Sequence, residues 1–221
     1  MLREIDACTL SHQIHNHNTR SSSTDHFERE NNEDEITSSD DTQLSYVSHE
    51  KLEVLKGDVF DSESLNPILQ GKDAVLSCLG AHGTSVFKHT TLYSESMKSI
   101  SAAMERNKVE RLVCVTSWGT RKEPGNPKIM EYLLKPLIMA GFIHDMALME
   151  RMLMETKLNY TVVRPPELKN GPAKGDYAVQ EGQIVPNASW SIPRADVAEF
   201  MLSSLNTQEW DRKCVAIGRK S

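Results

Sequence analysis

Ser117 closes an apolar run, Arg111-Leu-Val-Cys-Val-Thr116. A hydroxyl at the end of a strand can hydrogen-bond a ligand at the mouth of a sheet, or cap the turn that follows. Asp58, next to Gly57, is open to a similar choice between a ligand contact and an Asx turn or helix cap. His12, His15 and His17 are spaced closely enough to clip a metal on a folded scaffold. They lie in a polar tract with no second ligand set, so chance spacing is the simpler account and no metal is expected. His82 and His144 read as exposed polar residues rather than acid/base groups. Cys8, Cys78, Cys114 and Cys214 each stand alone without C-x-x-C spacing, as expected of buried thiols in a reducing compartment.

The elements that must position these groups begin only after the head of the chain. Residues 1–50 carry eleven Asp/Glu against three Arg and no Lys, thirteen Ser/Thr, and neither Gly nor Pro. Such a segment has too little apolar surface to offset its ordering entropy, so residues 1–42 are expected to be a disordered acidic tail and 43–221 a folded domain. Leu52, Val54 and Leu55 suggest a short strand, and Asp61 or Ser62 caps a helix through Leu69. The near-continuous apolar run from Asp73 to Leu79 has the pattern of a central parallel strand. Apolar residues at three- and four-residue steps predict a helix from His89 to Asn107, followed by the strand that ends at Thr116. A helical region from Ile129 to Thr156 should be broken by Pro136 and Gly141. Tyr160 to Arg164 is the next strand, and Pro165-Pro166 ends it. Tyr177 to Ile184 suggests a hairpin, Arg194 to Leu205 a helix, and Cys214 to Ile217 a closing strand. The alternation favours an α/β fold with a parallel sheet.

Several local signatures, taken in order, resemble the atypical short-chain dehydrogenases. The closest resemblance is to the flavin reductase (NADPH)/biliverdin reductase B family, with its NAD(P)-binding Rossmann fold. They are Gly57-Asp58-Val59, Gly71-Lys72-Asp73-Ala74-Val75, Leu79-Gly80, Val109 to Val113 into Thr116-Ser117, and Leu158-Asn159-Tyr160 into Pro165-Pro166. Gly175-Asp176-Tyr177 and Asp196-Val197-Ala198 complete the set. The resemblance covers about Leu52 to Ile217. It implies that Asp58 and Val59 lie near the adenine, and that Leu79, Gly80, Ala81 and the loop to Gly83 run along the ribose and diphosphate of NADPH, or of NADH. Thr116 and Ser117 would lie at the nicotinamide, with Ser117 as the catalytic residue, and Pro165, Pro166, Glu167 and Leu168 on its other side. Trp118 and Met146 would face the flavin or bilin acceptor. On their own, Trp118 could equally anchor its loop, and the methionines from Met139 to Met154 read as core packing.

The resemblance is incomplete at its start. None of the eleven glycines precedes residue 51, so the glycine turn that brings amide groups to a diphosphate has no counterpart, nor do the first two strands around it. A histidine common in the family's active-site helix is replaced by Met146, another by Glu167, and no Y-x-x-x-K pair is present, Tyr132 and Lys135 being three apart. The expectation is a truncated Rossmann-like three-layer sandwich with about five mostly parallel strands. Unrelated sequence, as in a truncated isoform, would replace the glycine-turn unit. The bared flank of the Ala74 strand would be covered by the Leu52 strand moving over, the favoured arrangement, by residues 43–50 extending it, or by a protein partner. The implied activity is hydride transfer from NADPH to a flavin or bilin; the alternative is a non-catalytic Rossmann-like binding or regulatory scaffold. No Lys/Arg stripe argues for nucleic acid. No apolar stretch approaches the roughly 20 residues of a membrane span, so a cytoplasmic location is expected.

Overall fold

The computed structural model describes residues 7–10, 55, 57–80, 89–123, 126 and 140–220. Its main sheet holds β1 (Ala7–Leu10), β2 (Ala74–Ser77), β3 (Arg111–Val115), β4 (Asn159–Arg164), β6 (Tyr177–Glu181) and β8 (Lys213–Arg219), in the order β1-β2-β3-β4-β8-β6. The first five in that order run parallel, and β6 closes the far side antiparallel to β8. A separate parallel pair joins β5 (Glu167–Lys169) to β7 (Ser191–Pro193). The expected sheet of about five mostly parallel strands is thus present.

Helices α1 (Ser62–Leu69), α2 (Leu92–Asn107) and α3 (Ala140–Glu155) cover one face. Their Leu65, Met97, Ile100, Met149 and Leu153 pack on Val75, Leu112 and Val162 of the strands. Helix α4 (Arg194–Ser203) covers the other face, where Val197, Phe200 and Met201 meet Leu76, Val113, Val163 and Val215. Alternate strand residues therefore enter opposite cores, and all four residues of β2 are buried, as the unbroken apolar run required.

The local signals acted where they were expected to. Asp61 caps α1 through the amide of Glu63 at 2.9 Å. Lys108 ends α2 in the left-handed conformation, φ 58°, returning its N–H to the carbonyls of the last turn. Gly141 is the second residue of α3 as described. Pro136 and residues 127–139 lie outside the described residues. Tyr177 to Ile184 forms no hairpin of its own, because its β6 pairs with β8, a longer partner with two apolar faces.

The head departs most from expectation. Ala7–Leu10 falls in the segment expected to be disordered, yet it pairs with β2 in the register Ala7↔Ala74 to Leu10↔Ser77. The unpaired amides and carbonyls along β2 need partners, and Ala7-Cys8-Thr9-Leu10 is an uncharged run that can supply them. The flank of β2 is consequently not bare, and the Leu52 strand is not what covers it. Leu55, the described residue of that strand, is exposed and outside any strand. The rest of the expected tail lies outside the described residues.

Candidate functional site

Strands β2, β3 and β4 end side by side, and their loops form the carboxyl edge of the sheet, where open α/β sheets bind ligands. The turn after β3 is stitched to β4: the amide of Thr116 donates to Val163 O at 2.9 Å and that of Trp118 to Pro165 O at 2.9 Å. Between these pinned neighbours sits Ser117, half-buried, with no hydrogen bond to its hydroxyl among the described residues. Pro165 and Pro166 are buried beside it.

Beneath this turn lies a buried ion pair that sequence reading missed. Glu150, in the middle of α3, and Arg164, the last residue of β4, are both fully buried. The guanidinium reaches Glu150 twice, Nε to Oε1 at 2.9 Å and Nη2 to Oε2 at 2.6 Å, and gives Nη1 to Gly182 O at 2.8 Å. Thr116 Oγ1 and Thr120 Oγ1 also donate to Glu150, at 2.9 Å and 2.9–3.0 Å. Gln183 Oε1 accepts from the amide of Arg121 at 2.9 Å and lies 3.2 Å from Thr120 Oγ1. Burial alone would lower the pKa of Arg164, but the hydrogen bonds and charge of Glu150 outweigh it and hold the guanidinium above its ordinary value. Thr116 and Thr120, on either side of Ser117, are thereby fixed to one buried carboxylate. The signal was faint: a Glu in an apolar helical stretch and an Arg ending an apolar strand, each reading alone as surface.

Arg164 also lines a polar cavity of about 260 Å³, with Arg121, Tyr160, Gly182, Arg212 and Cys214. Ser117 and the paired prolines are not among its lining residues.

The expected cofactor positions divide. Asp58 is exposed and forms an Asx turn, its Oδ1 accepting from Phe60 N at 2.9 Å. Val59 and Leu79 are core residues, 2% and 6% exposed, so only their main chain can border a ligand. Gly80 is half-buried, while Ala81 lies outside the described residues. Glu167 is exposed and paired with Lys169 at 2.5 Å, and Leu168 packs on the α4-side core.

The two acceptor-facing positions turn inward instead. Met146 is buried in the core beneath α3, on the apolar face that its spacing from Met149 and Leu153 dictates. Trp118 is 4% exposed and donates Nε1 to Ile217 O at 3.1 Å. Its ring lies against Gly218, where an added Cβ would come within 2.9 Å of Cζ2. Trp118 is a loop anchor, because an indole can be buried only where its N–H finds an acceptor and here one is provided. The indole left outside is Trp190, half exposed, with its centroid 6.1 Å from that of Trp118.

Asp145, next to Met146, explains the start of α2. Its Oδ2 accepts from the amides of Tyr93 and Ser94 at 2.8 and 3.2 Å, and its Oδ1 from Ser94 Oγ at 2.5 Å. Thr90 Oγ1 and Thr91 O take the amides of Leu92 and Glu95. Helix α2 is thus closed at its N-terminus by a neighbouring helix and has no free amides for an anion.

Neither buried thiol is a nucleophile. Burial pushes Cys114 well above its ordinary pKa and Cys214 up to about 11, so both stay protonated near neutrality. Cys78, expected to be buried, is exposed just past the end of β2. His12, His15 and His17 lie outside the described residues. Among the described residues no helix is long and apolar enough to cross a membrane.

An α/β fold with a mostly parallel sheet matches what sequence comparison finds. Residues 30–208 match a family described as NAD(P)H-binding. The chain belongs to this NAD(P)H-binding family. Solved structures agree in fold. A short-chain dehydrogenase/reductase from Veillonella parvula, in complex with NADP, is 20% identical, with a TM-score of 0.64 over 78% of this chain and 75% of that one. An oxidoreductase from Lactococcus lactis is 18% identical, with a TM-score of 0.64 over 79% and 74%. An anaerobilin reductase from Escherichia coli O157:H7 is 18% identical, with a TM-score of 0.56 over 74% and 73%. The family match begins at residue 30, so β1 comes from sequence outside it.

Proposed function

We propose that the chain is an NAD(P)H-dependent reductase that passes a hydride to a flavin or bilin acceptor. The observation that carries this reading is Ser117: a half-buried hydroxyl without a partner among the described residues, held between two pinned neighbours at the carboxyl edge of a family sheet. The NADP complex and the anaerobilin reductase, which share the fold, support it.

The nicotinamide end and the diphosphate end fit unequally. Ser117 would hydrogen-bond a carboxamide, and Pro165 and Pro166, both buried, would exclude water from one side. For the diphosphate, the start of α2 is already closed by Asp145, and the first fifty residues contain no glycine. When bound, the dinucleotide would supply the hydride. The protein's residues contribute mainly positioning, since the proton that completes reduction can come from water. Glu150 and Arg164 act beneath the turn by holding Thr116 and Thr120, and so fix where the Ser117 hydroxyl stands.

A second reading, a non-catalytic scaffold of the same fold, is favoured by the closed start of α2 and the missing glycine turn. One titration separates them. Purified chain is titrated with NADPH, and separately with NADH, and followed by cofactor fluorescence and thermal shift. Saturation at micromolar concentration supports the reductase. No binding at millimolar cofactor, with the protein folded, sinks the reductase and leaves the scaffold.

A further inference from the structure

Trp190 is one of the few large apolar side chains that the described residues leave exposed, at 50% of its surface. Its main chain is nonetheless held on both sides: the amide of Ser189 donates to Arg219 O at 2.9 Å, and Trp190 O accepts from the amide of Glu167 at 3.0 Å. Directly after it, β7 pairs with β5, so Trp190 stands beside the residues that follow Pro165-Pro166. The ring is braced as well, meeting Trp118 edge-to-face at 6.1 Å with 64° between the planes. Trp118 cannot yield, because its Nε1 is bonded to Ile217 O and its ring fills the space over Gly218. Trp118 in turn follows Ser117, so the exposed indole and the hydroxyl that has no partner among the described residues belong to one edge of the sheet. An exposed indole that is already immobilised loses little further entropy when a ligand covers it.

We infer that Trp190 is the acceptor-side wall of the site, a specificity-determining residue that stacks a flat, electron-poor conjugated ring system such as an isoalloxazine. The inference rests on the reductase reading for the identity of the acceptor, and on the placement of Trp190 for its position. An electron-rich indole face offers such a ring offset stacking in addition to the apolar area it covers. The stacking needs no charged partner, in keeping with Glu167 being engaged by Lys169.

The test uses FMN as the probe, followed by quenching of its own fluorescence, with the full chain, Trp190→Ala and Trp190→Phe. The expected result is saturable FMN binding, weakened about three- to tenfold in Trp190→Ala and within about twofold in Trp190→Phe. NADPH affinity, titrated separately, should be equal in all three proteins. Equal FMN affinity in wild type and Trp190→Ala overturns the inference, as does a wild type that shows no saturation up to about 1 mM FMN. Self-association that Trp190→Ala abolishes while FMN binding persists also overturns it, making the indole an interface residue. If NADPH fails to bind while Trp190-dependent FMN binding remains, the reductase reading falls and the wall stands.

Discussion

Arg164 at the end of β4 and Glu150 in the middle of α3 form a buried two-point ion pair, at 2.6 and 2.9 Å. It joins a strand to the helix packed over it, and through Thr116 and Thr120 it sets the turn that carries Ser117. Removing one member leaves the other charge buried and unpaired, which is far more costly than losing both. Glu150→Ala should therefore destabilise the fold by about 3–5 kcal/mol, while Glu150→Leu with Arg164→Met should recover most of that loss. Urea unfolding of the three proteins measures both. A single variant within about 1 kcal/mol of wild type would mean that the pair is hydrated in solution.

Ser117 should behave in the opposite way. Its hydroxyl has no partner among the described residues, so Ser117→Ala should leave the unfolding midpoint unchanged. If it contacts the bound nicotinamide, the same variant loses one hydrogen bond, and turnover with NADPH and a flavin should fall about five- to tenfold. A stability loss with unchanged turnover would assign the serine to the turn instead.

The pairing of β1 can be tested by chemistry. Cys8 lies in register with Val75, and neighbouring strands lie about 4.8 Å apart, within the range that a disulfide spans. Under mild oxidation the Val75→Cys variant should form a disulfide between Cys8 and the introduced thiol, read by peptide mass analysis with and without reductant. Crosslinks formed equally with cysteines placed elsewhere on β2 would show that the head has no fixed register.

Cys214 sets an alkaline limit. Its folded-state pKa of about 11 stands above the ordinary 9.0, so below pH 9 the thiol is neutral in both states and stability does not depend on it. Between 9.0 and about 11 the unfolded chain loses the proton first, so stability should fall as pH rises through that window. Cys114, shifted in the same direction, adds to the slope. Urea midpoints across the window, compared with those of Cys214→Ala, should diverge. Parallel curves would contradict the buried thiol.

Local patterns made much of this protein legible. The apolar run at Asp73–Leu79, the cap at Asp61 and the periodicity of α2 each depend on neighbours in the chain, and each was found where those neighbours placed it. Trp118 and Trp190 could not be ranked from sequence, since which indole finds a buried acceptor depends on Ile217, about a hundred residues away from Trp118.

The chain by itself determined the alternation of strands and helices and the apolar faces that make two cores, because these follow from residue type and spacing over a few turns or strands. Tertiary structure alone decided that Glu150 meets Arg164, that Asp145 closes the start of α2 and that Ala7–Leu10 lies against β2. Each joins groups far apart in sequence, and each exists because burial leaves a charge, an amide or a strand edge that only a distant residue is placed to satisfy.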